Sequence, residues 1–146
     1  MTKIDFYLIQ DLDVKARLEF ACRLAEKAYK NRHRIYIHAD SKEEAHELDE
    51  LLWTYREESF LPHNLVGEGP DPAPPIQIGF EGKPENHRDI LLNLNNAVPE
   101  FYSNFARVLE IVPSDAAAQE LARLHYRFYR AEGYEIITHK LQSAEV

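Results

Sequence analysis

Arg123, Arg127 and Arg130 stand at i, i+4 and i+7 of a helical pattern, so their guanidinium groups share one stripe, and Tyr126 falls inside it. Arginine forks bind carboxylates through paired hydrogen bonds, and an aromatic ring beside them can floor an apolar pocket. The pattern points to a small anion site. The alternative is a solvated helix face that neutralises acids elsewhere. Three arginines are too few for a nucleic-acid track on a chain of net charge −8. A second constellation is Trp53 with Phe60, followed by Leu61-Pro62-His63-Asn64-Leu65. Either both rings belong to the core, or they form an anchor pair in a protein-binding patch, where large aromatics carry disproportionate energy.

Other chemistry is weakly represented. No Gly-x-x-x-x-Gly-Lys-Ser/Thr loop occurs. The nearest glycine run, Gly67-Glu68-Gly69-Pro70, lacks a third glycine, follows no clean strand, and loses an amide to proline; it reads as a turn. The turn after the first apolar run is Gln10-Asp11-Leu12-Asp13, whose two acids would repel a pyrophosphate. The seven histidines are scattered, with no His-Glu-x-x-His and no cysteine partner, so no metal site is expected. His87-Arg88-Asp89 resembles a kinase triplet without the other kinase elements. Cys22 falls on the inner side of a helix as an inert small residue. Glu43, Glu44, Glu47, Asp49 and Glu50 read as a solvated helix face.

The elements that must carry these residues alternate. Ile4–Ile9 predicts a buried strand, Val14–Lys30 a helix with Asp11 or Asp13 as its cap, and Arg34–His38 a second strand. Ser41, with Glu44 three residues on, predicts a capping box opening a helix to about Trp53 or Tyr55, with Ala45, Leu48, Leu51 and Leu52 inward. Residues 62–84 hold six of the eight prolines and four of the five glycines, which predicts a long irregular connection holding at most a short strand at Ile76-Gln77-Ile78. Beyond it, Ile90–Leu94, Arg107–Val112 and Tyr134–Thr138 read as strands and Pro99–Phe105 as a short helical turn. Ser114 opens a long helix closed by Gly133, with Leu121, Leu124 and Phe128 as its core stripe and Tyr129 further round. This rhythm is that of a parallel α/β sheet.

Composition agrees with one ordinary domain spanning 1–146, its last residues, 142–146, frayed. The charge of −8 argues against a general grip on nucleic acid or anionic membrane. One cysteine permits no internal disulfide, no apolar run approaches a membrane span, and the first residues lack a signal-peptide layout; a cytoplasmic protein is expected.

Several segments together resemble the chi subunit of the bacterial DNA polymerase III holoenzyme, a clamp-loader component. They are Phe6-Tyr7-Leu8, Leu48-Asp49-Glu50 with Leu52-Trp53, Glu58-Ser59-Phe60, Pro62-His63-Asn64-Leu65, Gly67-Glu68-Gly69-Pro70, Arg88-Asp89-Ile90-Leu91, Val112-Pro113, and Leu121-Ala122-Arg123 with Tyr126, Tyr129-Arg130 and Gly133. The resemblance covers essentially the whole chain. It implies a Rossmann-like mononucleotide-binding-type fold, a mostly parallel sheet flanked by helices, that holds no nucleotide or other cofactor and performs no catalysis. It implies an adapter in the replisome of a bacterial cytoplasm. One partner would be the psi subunit, which tethers it to the clamp loader. The other would be the acidic, hydrophobic C-terminal tail of single-stranded DNA-binding protein. Some family members also pair with a helicase through the psi surface.

Carried onto this sequence, the resemblance places psi binding at Trp53 and Phe60, with Pro62 and His63 beside them. It places tail binding at Val112, Arg123 and Tyr126, with Arg127 and Arg130 as basic neighbours. A lysine that the family pattern can carry four residues before the key arginine is Gln119 here, which implies a weaker tail contact or more reliance on Arg127 and Arg130. Two other readings stand beside the adapter: a small nucleotide-dependent enzyme on the same fold, and a direct single-stranded DNA binder using the arginine-tyrosine helix.

Overall fold

The computed structural model describes residues 2–10, 14–54, 61–68, 74–84 and 87–141. Among the described residues seven strands form one sheet: β1 (Lys3–Leu8), β2 (Ile35–His38), β3 (His63–Leu65), β4 (Ile76–Gly79), β5 (Ile90–Asn93), β6 (Arg107–Val112) and β7 (Ile136–Lys140). Their spatial order is β3-β4-β2-β5-β6-β1-β7, and every neighbouring pair is parallel. The helices are α1 (Val14–Lys30), α2 (Lys42–Thr54) and α3 (Ala116–Ala131), with a 3-10 helix at Glu100–Asn104. The fold is therefore α/β of the Rossmann-like kind expected. Among the described residues no helix is long and apolar enough to cross a membrane.

A parallel sheet covered on both faces must be apolar on both, because alternate side chains point to opposite sides. In β2, Ile35 and Ile37 join the core under α1 and α2, while Tyr36 joins the core under α3 and the 3-10 helix. In β6, Leu109 and Ile111 face the first core, and Val108 and Val112 face the second. Cys22 is fully buried in the first core, and burial pushes its thiol up to about 12, in keeping with an inert role.

Local signals set most element ends. The Ser41 hydroxyl accepts from the Glu44 amide at 3.1 Å, while the Glu44 carboxylate reaches back to the Asp40 amide at 3.0 Å, one residue earlier than a strict capping box. Ala45, Leu48 and Leu52 are buried, and Leu51 packs partly against the same core. Gly133, at φ +91°, takes the left-handed conformation that terminates α3.

Three expectations need correction. The proline-rich stretch holds two strands, β3 as well as β4. Three residues suffice at a sheet edge, and His63–Leu65 pair with Ile76–Ile78. The last strand begins two residues later than expected, at Ile136, because Tyr134 still belongs to the helix exit and donates its amide to the Tyr129 carbonyl. The cap of α3 is Asp115, whose carboxylate accepts from the Ala118 amide at 3.1 Å; Ser114 instead donates its hydroxyl to the Gln10 carbonyl at 2.7 Å. The expected caps Asp11 and Asp13, and the tail 142–146, lie outside the described residues.

One acid is buried within β1. Asp5 is fully enclosed and accepts from Arg107 Nε at 2.7 Å and His139 Nε2 at 2.9 Å. Burial pushes its carboxyl up, but the hydrogen bonds and charges of Arg107 and His139 outweigh that, and the net shift is down. A carboxyl held lower in the folded chain than in the unfolded one stabilises fully above its unfolded value, about 3.9. That contribution is lost as pH falls through the depressed folded value. Urea denaturation at stepped pH is expected to show a steeper acid loss of stability for the wild type than for Asp5→Asn. Parallel curves for the two would contradict this role.

Candidate functional site

The arginine-tyrosine helix lies across β6, β1 and β7, and its orientation is set by a polar anchor. Glu110, buried between apolar neighbours in β6, faces α3. One carboxylate oxygen accepts from His125 Nδ1 at 2.8 Å; the other accepts from the Tyr129 hydroxyl at 2.7 Å and Asn93 Nδ2 at 3.1 Å. The second nitrogen of His125 donates to the Asn96 carbonyl at 2.7 Å. Both imidazole nitrogens face oxygen acceptors, an arrangement that favours the doubly protonated ring. Burial works against that charge, but the Glu110 hydrogen bond and charge, with the Asn96 carbonyl, prevail and raise the pKa of His125.

The buried stripe of α3 is thus His125 and Tyr129, with Ala118 and Ala122 half-buried beside them. The expected core stripe is corrected: Leu124 is 55% exposed, Phe128 is 39% exposed, and Leu121 is half-buried. Two apolar stripes one residue apart differ by about 100° around a helix. The acid beneath selects the one that carries donors. The signal available in the sequence was Glu110 itself, a lone acid in Val-Leu-Glu-Ile-Val that needs buried partners.

This rotation opens a slot on one flank of α3, at the carboxyl ends of β1 and β6. Phe6, Leu8, Ile9, Val112, Ala122 and Thr138 line it, with Gln119, Arg123 and Tyr126 at its helical wall, and its volume is about 360 Å³. Phe6 meets the Tyr126 ring edge-on at 5.8 Å and the Tyr129 ring at 6.0 Å, so Tyr126 is braced although 40% exposed. Arg123 is exposed on the wall and makes no ion pair among the described residues. Val112, Arg123 and Tyr126 therefore meet in one cavity. Arg127 and Arg130 are exposed on the same helix but do not line the slot. An apolar trough walled by an exposed guanidinium can seat an extended apolar side chain and fix a carboxylate beside it.

Trp53 stands far from this slot in the fold. It lies in the last turn of α2, on the opposite face of the sheet and beside the β3 edge, and is 51% exposed. Its ring centroid is 4.6 Å from that of His63. His63 is held in place: Nδ1 faces the Leu61 carbonyl, and Nε2 lies 3.2 Å from the Asp49 carbonyl and 3.3 Å from its carboxylate. The imidazole is a prop that presents the indole outward. Pro62 is half-buried next to it, and its carbonyl accepts from Ile76. Phe60 lies outside the described residues.

A second hollow, of about 250 Å³, sits on the other flank of the first turns of α3 at the carboxyl ends of β5 and β6, where open α/β sheets commonly bind ligands. Arg17 lines it, but its guanidinium is already engaged by the Glu44 carboxylate at 3.2 Å and by the Leu94 carbonyl. Gly67, in the run that most resembles a phosphate loop, turns the chain after β3 with φ +88°, and the Glu68 amide donates back to Leu65.

Comparison with known proteins places the chain in clear company. The family described as "DNA polymerase III chi subunit, HolC" matches residues 1–137. A protein of Pseudomonas aeruginosa named DNA polymerase III subunit chi is 44% identical over 141 residues, 97% of this chain and 98% of that protein. The Escherichia coli protein of the same name is 34% identical over 143 residues, covering 94% of this chain and 97% of its own length. Among solved structures, the crystal structure of T4 UvsW superposes with a TM-score of 0.67 over 97% of this chain and 42% of that one; at 9% identity this is a likeness of fold alone.

Proposed function

The chain belongs to the DNA polymerase III chi-subunit family, a component of DNA replication, and from that premise we propose that it works as a non-catalytic, two-sided adapter. One side takes the C-terminal tail of single-stranded DNA-binding protein in the α3 slot. The other docks the psi subunit, and with it the clamp loader, on the Trp53 face. The observation that carries the reading is the exposed Arg123, without an ion pair among the described residues, beside an apolar trough floored by Phe6 and Val112 and walled by Tyr126.

A tail ending in aspartate, an apolar side chain and a free carboxylate matches that trough group for group. Its last side chain fills the apolar floor, and its carboxylates meet the guanidinium fork. Arg127 and Arg130 add a positive field along the approach. The tail comes disordered, so ordering entropy offsets part of the contact energy and keeps it exchangeable. The test is a fluorescence titration with the tail peptide, intact and lacking its terminal residues. Saturable binding of the intact peptide alone supports the reading; equal binding of both, or of neither, overturns it.

The psi side rests on an exposed indole held on a propped histidine, the kind of rigid aromatic that anchors protein interfaces. Trp53→Ala is expected to weaken psi binding by about 2 kcal/mol, the scale of an interface hot spot. It should leave the tail peptide's affinity unchanged, since the slot is on the other face of the sheet. Calorimetric titration of psi and of the peptide against the same variant separates the two; a fall in both would contradict independent surfaces.

A further inference from the structure

A third hollow, of about 580 Å³, opens at the carboxyl end of β2. β2 and β5 are neighbours, yet the chain leaves β2 for the β3 edge and leaves β5 for the β7 edge. Open α/β sheets bind ligands outside the carboxyl ends of their strands at such a reversal. The walls come from the segments that follow β4 and β5, with Phe80 and Lys83 from the first and Glu100 and Phe101 from the second. His38, the last residue of β2, is the buried member of the lining.

His38 is 6% exposed, stacked against Tyr36 and met edge-on by Phe101 at 5.3 Å. Its Nδ1 lies 3.4 Å from the Tyr36 hydroxyl. That hydroxyl is buried and has no other acceptor among the described residues, so it donates to Nδ1. Gly79 makes room for it, since a Cβ there would overlap the Tyr36 oxygen. Burial holds the imidazole pKa below its ordinary value against the pull of the Asp40 charge, so the ring is neutral and its one proton sits on Nε2. Nε2 has no partner among the described residues and is not sealed in the core. A braced N–H donor is thus offered to the hollow with nothing to receive it.

The lining selects a kind of ligand. Phenyl rings suit a flat apolar face, and the Nε2–H group calls for a carbonyl or ring-nitrogen acceptor. The exposed carboxylates of Glu81 and Glu100 can accept from an amino group, and together they outweigh Lys83 and oppose a phosphate. A nucleobase with adjacent carbonyl and amino groups carries this whole set, and a nucleotide adds the charge that the rim repels. We propose that this hollow binds a free nucleoside of that class, such as cytidine or guanosine, through its base. None of the lining residues belongs to the tail slot or the Trp53 face, so the inference stands apart from the adapter reading.

Calorimetric titration of the full chain with cytidine and guanosine tests this. Saturable binding of a nucleoside is expected, with no binding of ribose and weaker binding of the matching monophosphate. His38→Ala is expected to weaken nucleoside binding about tenfold, the worth of one hydrogen bond, and His38→Gln, which keeps a donor, to recover part of it. Glu100→Ala, at an exposed position that should not disturb folding, is expected to narrow the gap between nucleoside and monophosphate, a change that mere loss of structure would not produce. The absence of saturable binding by either nucleoside at millimolar concentration overturns the proposal. So does an affinity that neither His38→Ala nor Glu100→Ala alters, or tighter binding of the monophosphate or of an oligodeoxycytidine strand, which would mark phosphate recognition instead.

Discussion

Replacing Glu110 with alanine is expected to lower the free energy of unfolding by about 3–5 kcal/mol, the scale for stripping one partner from a buried ion pair. Three donors converge on this carboxylate, from His125, Tyr129 and Asn93, and the alanine would leave all three without their acceptor. Urea denaturation with linear extrapolation reads the loss directly. A second signature comes from pH. His125 has a raised pKa in the folded chain, so its contribution is complete below the unfolded imidazole value of about 6.5 and fades as pH rises through the higher folded value. The wild type should therefore lose stability on that alkaline side, and Glu110→Ala should lack that loss. A cost under about 1 kcal/mol, with the pH dependence intact, would mean that the network does not hold α3 down.

Arg123→Ala is expected to weaken binding of the tail peptide by roughly 1.5–3 kcal/mol, the worth of a charged hydrogen bond, or about 10- to 150-fold in Kd. Because Arg123 is exposed and makes no ion pair among the described residues, the same change should leave folding stability within about 0.5 kcal/mol of wild type. Arg123→Lys should recover only part of the affinity, since an ammonium keeps the charge but not the planar fork. Titration of the three proteins with one labelled peptide checks the order. Unchanged affinity in Arg123→Ala would remove this residue from the site and, with it, the chemical reason for placing the tail in this slot.

Both predictions turn on how α3 is rotated, which separates what was legible in the sequence from what was not. The strand-helix alternation, the Ser41 cap, the Gly133 stop and the basic flank of α3 all rest on interactions within a turn or two of chain. Periodicity and residue type therefore report them. The short strand β3 was hidden, because His63–Leu65 is too brief to show a pattern and is a strand only by pairing with β4. The exposure of Leu124 and Phe128 was hidden as well, because hydrophobicity alone ranks that stripe above one holding a histidine and a tyrosine.

By itself, then, the sequence determined an α/β domain of alternating elements without a phosphate loop, with one arginine-tyrosine helix and one tryptophan next to a proline-rich stretch. The tertiary structure decided which face of that helix meets the sheet, and that Val112, Arg123 and Tyr126 share one trough with Phe6 from the far end of the chain. It also decided that Trp53 is propped on His63 across the sheet from them. The reason is that a buried carboxylate must find its donors wherever the fold can bring them. Glu110 lies 15 residues from His125 and 19 from Tyr129, and satisfying it fixes the rotation of α3. No local propensity encodes that requirement; it exists only once the sheet has formed beneath the helix.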